Sequence, residues 1–207
     1  KDAARRMALP SLAAKGLRPL PAGAAELVLQ QLLEGVPAGS YFENFKPFRN
    51  SACAVLRALE TLENSLWSPH ALRRAADGAF RDPAAPVRLG QLADLWDRLN
   101  RWKADRGLFS ADDLLVEAGR PELEPAQRPE ALFLYGFYDF TPAQRALVRR
   151  LISLAEECWA YLLWAEHDGE PSPGFEYAGP TVAWLQEVLG AAAAEPASGG
   201  AAGGEGS

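Results

Sequence analysis

The sequence predicts a mostly α-helical chain with a small parallel β component, and three observations predict it. Apolar residues recur at three- and four-residue spacing over long stretches, from Ala52 to Leu66 and from Leu89 to Trp102. The segment Leu132-Phe-Leu-Tyr135 is apolar without alternation, as in a parallel strand covered on both faces. Just after it a helix start is written out: Thr141 stands as N-cap, Pro142 at the first helical position, and Gln144 where it closes a capping box.

Residues 1–23 read as an entry segment. From Ala24 to Leu33, residues Leu27, Val28, Gln31 and Leu32 suggest a short helix that Gly35 and Pro37 cut off. The loop from Gly39 to Asn50 then places Tyr41, Phe42, Phe45 and Phe48 around Lys46 and Arg49. Such a loop can stack single-stranded bases, with phosphate contacts from Lys46 and Arg49; the competing reading packs the rings beneath neighbouring helices.

Ala52, Val55, Leu56, Leu59, Leu62 and Leu66 mark a helix of about five turns. Ser68 caps the next, with Pro69 at its first position, Trp67 stapling on Leu72, and Arg73 and Arg74 outward. The series Leu89, Leu92, Leu95, Trp96, Leu99, Trp102 gives a second long helix, whose other side carries Arg98, Arg101, Lys103 and Arg106. That side is either a phosphate-facing stripe or, since Asp94, Asp97 and Asp105 interrupt it, a solvated face.

Gly107 closes this helix. Ser110 caps the following one, Asp113 takes the capping-box position, and Phe109 staples on Leu114. Asp112 and Asp113 face the helix dipole as first-turn acids, the alternative being general-acid or metal chemistry. After the helix from Thr141, Ala160 to Ala165 reads as a second strand, so residues 121–190 give strand, helix, strand and a closing helix from Pro180 to Leu189, beside a helical region over 24–120. Residues 191–207, rich in Ala and Gly, read as a flexible linker.

Composition bounds the function. With 207 residues, 48% of them hydrophobic, the chain can bury a real core. A net charge of -6 argues against general affinity for nucleic acid, leaving room for a local basic patch. No apolar run approaches the ~20 residues of a spanning helix, so no membrane role is expected. Cys53 and Cys158 fall in apolar patterns and read as reduced core residues, which points to the cytoplasm. The start at Lys1 and the linker-like tail suggest a piece of a longer protein.

Several chemistries lack their residues. No Gly-Lys-Ser or Gly-Lys-Thr run follows a glycine-rich turn, so a phosphate-cradling loop is not expected. No Asp-x-Lys or Glu-x-Lys occurs, which removes restriction-enzyme-like nuclease chemistry. The cysteines and histidines are too dispersed for zinc, and Glu166-His167-Asp168 with Glu170 reads as a polar loop. No catalytic residue, metal or cofactor is predicted.

Asp112-Asp113-Leu114-Leu115 with Ala118, followed by the buried strand, an aromatic-acid pair and Thr-Pro-x-Gln opening a helix, resembles the UvrD/Rep-like superfamily of DNA helicases. Phe137, Asp139 and Gln144 agree with that pattern. Tyr135 and Gly136 stand where the family has a magnesium-binding aspartate and a water-activating glutamate, and neither a phenol nor a hydrogen atom replaces them. Gly136-Phe-Tyr-Asp-Phe-Thr-Pro-Ala-Gln144 is similar to the degenerate helicase half of the B subunit of AddAB/RexAB-type ATP-dependent helicase-nucleases. Tyr41-Phe-Glu43, the helix from Asn50 and Ser68-Pro-His-Ala-Leu72 are similar to that branch's helical insertion, and the likeness runs from Ala24 to Leu189.

The resemblance implies a helical insertion joined to part of a RecA-like, P-loop NTPase-type α/β domain that does not hydrolyse nucleotide. The parent would be a hydrolase processing DNA breaks in repair and recombination, with a partner helicase-nuclease subunit. DNA contacts would fall to Lys46, Arg49, Arg101 and Lys103. The alternative, favoured by acidic charge, is a structural protein-interaction module with no nucleic-acid role.

Overall fold

Helical periodicity is realised along most of the chain in the computed structural model, which describes residues 2–46, 48, 50–78, 80–125, 128–137, 139–162, 166–167, 170–171 and 175–190. Helix α1 (Asp2–Ala14) leads to the short strand β1 (Arg18–Pro19), α2 (Ala24–Glu34) and a 3-10 turn at Tyr41–Phe45. Then follow α3 (Ser51–Asn64), α4 (Pro69–Ala76), α5 (Ala85–Asp105), β2 (Leu108–Phe109) and α6 (Ala111–Ala118). The later part comprises β3 (Ala131–Tyr135), α7 (Pro142–Leu154), β4 (Glu157–Tyr161), β5 (Glu166–His167), β6 (Glu170–Pro171) and, after a 3-10 turn, α8 (Gly179–Leu189). Among the described residues no helix is long and apolar enough to cross a membrane.

The chain divides into two compact units, one formed by Lys1–Pro129 with Phe140–Leu154, the other by Glu130–Asp139 with Ala155–Ser207. In the first, α2 to α5 close around Leu29, Leu33, Leu59, Leu72, Trp96 and Leu99. A second core joins Met7, Ala8 and Leu12 of α1 to Phe109, Ala118, Leu147 and Leu154. β1 runs parallel to β2, pairing Arg18 with Leu108 and Pro19 with Phe109. Where α6 ends, a Cβ on Gly119 would sit 3.0 Å from the Ala146 Cβ and 3.2 Å from the Leu147 nitrogen, so a larger residue would push α7 away.

Three expectations for this unit change. The entry segment contains a full helix, α1, whose Ala4, Met7, Ala8 and Leu12 are buried. The spacing puts Leu66 on the apolar stripe of the helix from Ala52, but α3 stops at Asn64 and Leu66 takes a left-handed φ of 58°. Its N–H donates to the Glu63 carbonyl and that of Trp67 to Leu62, closing the helix end and leaving Leu66 half exposed. Arg73, expected to point outward, reaches across to Asp94 and Asp97 of α5.

In the second unit β3 and β4 pair in parallel, with Leu132 opposite Cys158, Phe133 opposite Trp159 and Tyr135 opposite Tyr161. The strand expected at Ala160 starts earlier, at Glu157; residues 163–165 of that expectation, like the linker at 191–207, lie outside the described residues. The expectation of a strand covered on both faces is corrected too. Leu134 is 4% exposed, whereas Phe133 is 63% and Tyr135 79% exposed. An apolar run records hydrophobicity, not coverage, and here only alternate residues are covered. In α8, Thr181, Trp184 and Leu185 are buried.

Candidate functional site

The end of β3 is built by its backbone. After Tyr135 the chain turns at Gly136, whose φ of +71° favours glycine, and the Gly136 N–H donates to the Tyr161 carbonyl at 3.2 Å. Nothing lies within 4 Å of where a Gly136 Cβ would be, so the constraint is conformational, not steric. Tyr135, Phe137 and Asp139 are exposed. Beyond the turn, Thr141 and Gln144 form the expected reciprocal cap: the Thr141 N–H donates to Gln144 Oε1 at 2.9 Å and the Gln144 N–H to Thr141 Oγ1 at 3.3 Å. The strand end therefore presents a phenol and a glycine, with no carboxylate at either position.

Of the four cations singled out for DNA, Lys46, Arg101 and Lys103 are among the described residues, and their surroundings differ. Lys46 Nζ donates to the Val36 carbonyl at 2.8 Å, so its charge serves the loop after α2. Arg49 lies outside the described residues. Arg101 is exposed on α5, beside Arg98, at a cleft of about 540 Å³ that Arg73, Gln91, Asp94 and Asp97 also line. Arg73 engages both aspartates, leaving Arg98 and Arg101 with no hydrogen bond or ion pair among the described residues.

Lys103 is the fourth, and its expected place is corrected. It is only 6% exposed, because it follows Trp96 by seven residues and Leu99 by four and so falls on the buried stripe of α5. The spacing alone places Lys103 inward, and only its charge points to the outer face. The stem is buried and the ammonium is answered by Asp113 Oδ2 at 2.8 Å and Glu63 Oε1 at 3.8 Å. The loop aromatics divide likewise: Phe42 is buried and Phe45 packs on the first core, while Tyr41 meets Arg88 5.3 Å from its ring centre and Phe48 is exposed.

Around Lys103 lies a polar network between α3, α5 and α6. Trp96 Nε1 donates to Glu63 Oε1 at 2.9 Å, and Asn64 Nδ2 to Asp112 Oδ1 at 2.9 Å. Ser110 and Asp113 complete the predicted capping box, so both acids of the Asp112–Asp113 pair have structural partners. Burial pushes the Glu63 carboxyl above its usual range, with Asp113 and Asp112 adding to it and Lys103 and Trp96 opposing. Burial followed by the Asp112 charge raises Glu60 also. On α6, burial works against the Glu117 charge, but hydrogen bonds from Lys15 and Ser11 and the charges of Arg120 and Lys15 outweigh it and hold the carboxyl below its usual range.

Both cysteines are free and half-buried, and burial pushes the Cys158 thiol up, away from nucleophilic use. Among the described residues no cluster of His, Cys, Asp and Glu is arranged to hold a metal. Glu166–His167 and Glu170–Pro171 pair antiparallel; their side chains, and Asp168, lie outside the described residues. Comparison with known proteins returns no matching family model and no significantly similar curated protein.

Proposed function

We propose that the chain is a non-hydrolysing, helicase-like part of a helicase-nuclease subunit that processes DNA ends, and that its task is to pack on a partner subunit. On this reading the helical unit corresponds to an insertion, and β3, α7 and β4 to part of a RecA-like domain working in a reducing, cytoplasmic setting. The observation that supports it is the end of β3: the strand, the turn and the Thr141–Gln144 cap are present, with exposed Tyr135 and left-handed Gly136 at the two positions where the resemblance puts the hydrolytic acids. A carboxylate is needed there to hold magnesium and to position water. Calorimetric titration of the chain with magnesium and ATP tests the reading. No binding heat is expected, and saturable binding would contradict it.

A purely structural interaction module is the second reading, and the pattern of ion pairs favours it over DNA guidance. Arg73 pairs with Asp94 and Asp97, Lys103 with Asp113 and Glu63, Lys15 and Arg120 with Glu117, and Arg88 with Asp82. Charges neutralised in scattered pairs do not form the contiguous stripe that a phosphate backbone follows. Arg98 and Arg101 are the remaining DNA candidates on α5. Salt-sensitive binding of single-stranded oligonucleotides that Arg98→Ala with Arg101→Ala abolishes would restore DNA guidance, whereas no binding at low salt leaves the module.

A further inference from the structure

The β3–β4 sheet presents four aromatic rings on one face. Side chains two residues apart on a strand share a side, and the register sets Phe133 beside Trp159 and Tyr135 beside Tyr161. Their exposures are 63, 51, 79 and 52% in that order. Rings of this kind offer 150–250 Å² each, so together they leave on the order of 500 Å² of apolar surface in water, near the upper end for a monomer.

The formal charges of the unit that carries this face have one sign. All 21 Lys and Arg residues of the chain belong to the first unit, while the second holds eleven of the 27 acidic residues and no Lys or Arg. Exposed Glu157, opposite Ala131, shares the face with the four rings, and exposed Glu130, Glu156 and Asp139 flank the ends of the strands. Surfaces that stack single-stranded bases combine aromatics with cations that follow the backbone, and a carboxylate rim repels phosphate instead. A guanidinium, by contrast, stacks on Tyr and Trp faces and pairs with carboxylates.

We propose that this face docks an arginine-bearing apolar segment of a partner protein. Guanidinium planes and aliphatic side chains lie on Phe133, Tyr135, Trp159 and Tyr161, and the arginine charges meet Glu130, Glu157 and Asp139. The rings supply the apolar centre and the acids the polar rim that protein interfaces share. The inference sharpens the partner-packing half of the proposed function and rests on it only there. ATP binding by the chain would leave this face as it is, and failure of the face to dock would leave the inactive strand end as it is.

The test is fluorescence anisotropy with the whole chain and three labelled probes: a peptide alternating Arg and Leu, one alternating Glu and Leu, and oligothymidylate. The Arg peptide should bind, more weakly as salt rises, and at least about tenfold more tightly than the Glu peptide. Tyr135→Ser with Tyr161→Ser should weaken it by about tenfold or more while circular dichroism and the urea midpoint stay unchanged, as expected for exposed positions. The proposal is overturned by equal binding of the two peptides, by Arg-peptide binding that the Tyr variant leaves intact, or by preference for oligothymidylate. It is overturned equally if sedimentation finds a dimer that the Tyr variant dissociates, since a second copy would then occupy the face.

Discussion

Lys103 Nζ on α5 lies 2.8 Å from Asp113 Oδ2 on α6, and the same ammonium is 3.8 Å from Glu63 Oε1 on α3. One buried cation thus ties three helices and compensates two carboxylates. Removing it strands charge in the interior, which costs more than the pair itself contributes. Lys103→Met should therefore lower stability by about 2–3 kcal/mol, below the full cost of a buried pair because the Asp113 side chain is 37% exposed. Urea denaturation measures this, and a change under about 0.5 kcal/mol would mean the network is not coupled as drawn.

Glu117 and Glu63 should give opposite pH dependences. Glu117 has its folded pKa held below the usual carboxylate range, so its contribution is present above the unfolded pKa and is lost as pH falls through the folded pKa. Glu117→Gln should then be less stable than the wild type at neutral pH, by about 1 kcal/mol since Lys15 is half exposed, with the gap closing in acid. Glu63 has its folded pKa raised above the usual carboxylate range, so its contribution is full below the unfolded pKa and is lost as pH rises through the folded value. Glu63→Gln keeps an acceptor for Trp96 and should lack that decline. Urea midpoints from about pH 3 to about pH 7 decide both signs.

Two backbone positions should respond in opposite directions. Leu66 bears a left-handed φ of 58° and Gly136 one of +71°, and neither conformation suits a residue with a Cβ. Leu66→Gly should stabilise by about 0.5–1 kcal/mol, and Gly136→Ala should destabilise by about 1 kcal/mol. Thermal unfolding of the two variants checks the pair, and a loss on Leu66→Gly would mean that the Leu66 side chain contributes packing.

Local chemistry was the legible part of the sequence. Ser68, Ser110 and Thr141 were identified as caps from their positions alone, and each accepts the expected backbone N–H. Helix α1, within the expected entry segment, holds its period at Ala4, Met7, Ala8 and Leu12 although Pro10, a residue disfavoured in helix interiors, lies inside it. At Lys103 charge and spacing point to opposite faces, and spacing prevails because Asp113 and Glu63 answer the buried ammonium. The aromatic face of β3 and β4 was not legible at all, since whether Phe133 and Tyr135 are covered depends on what packs above them, and no local pattern encodes that. At the strand end the sequence shows a glycine at position 136, and the structure adds that its backbone is left-handed, a conformation that residues with a Cβ disfavour.

The most direct measurement for the central claim is phosphate release from ATP by the purified chain, with magnesium and with or without single-stranded DNA. On the proposed reading, which puts Tyr135 and Gly136 where the hydrolytic acids would stand, release should equal the enzyme-free background in both conditions. Release above background that follows the chain through successive purification steps would contradict the reading of this strand end as inactive.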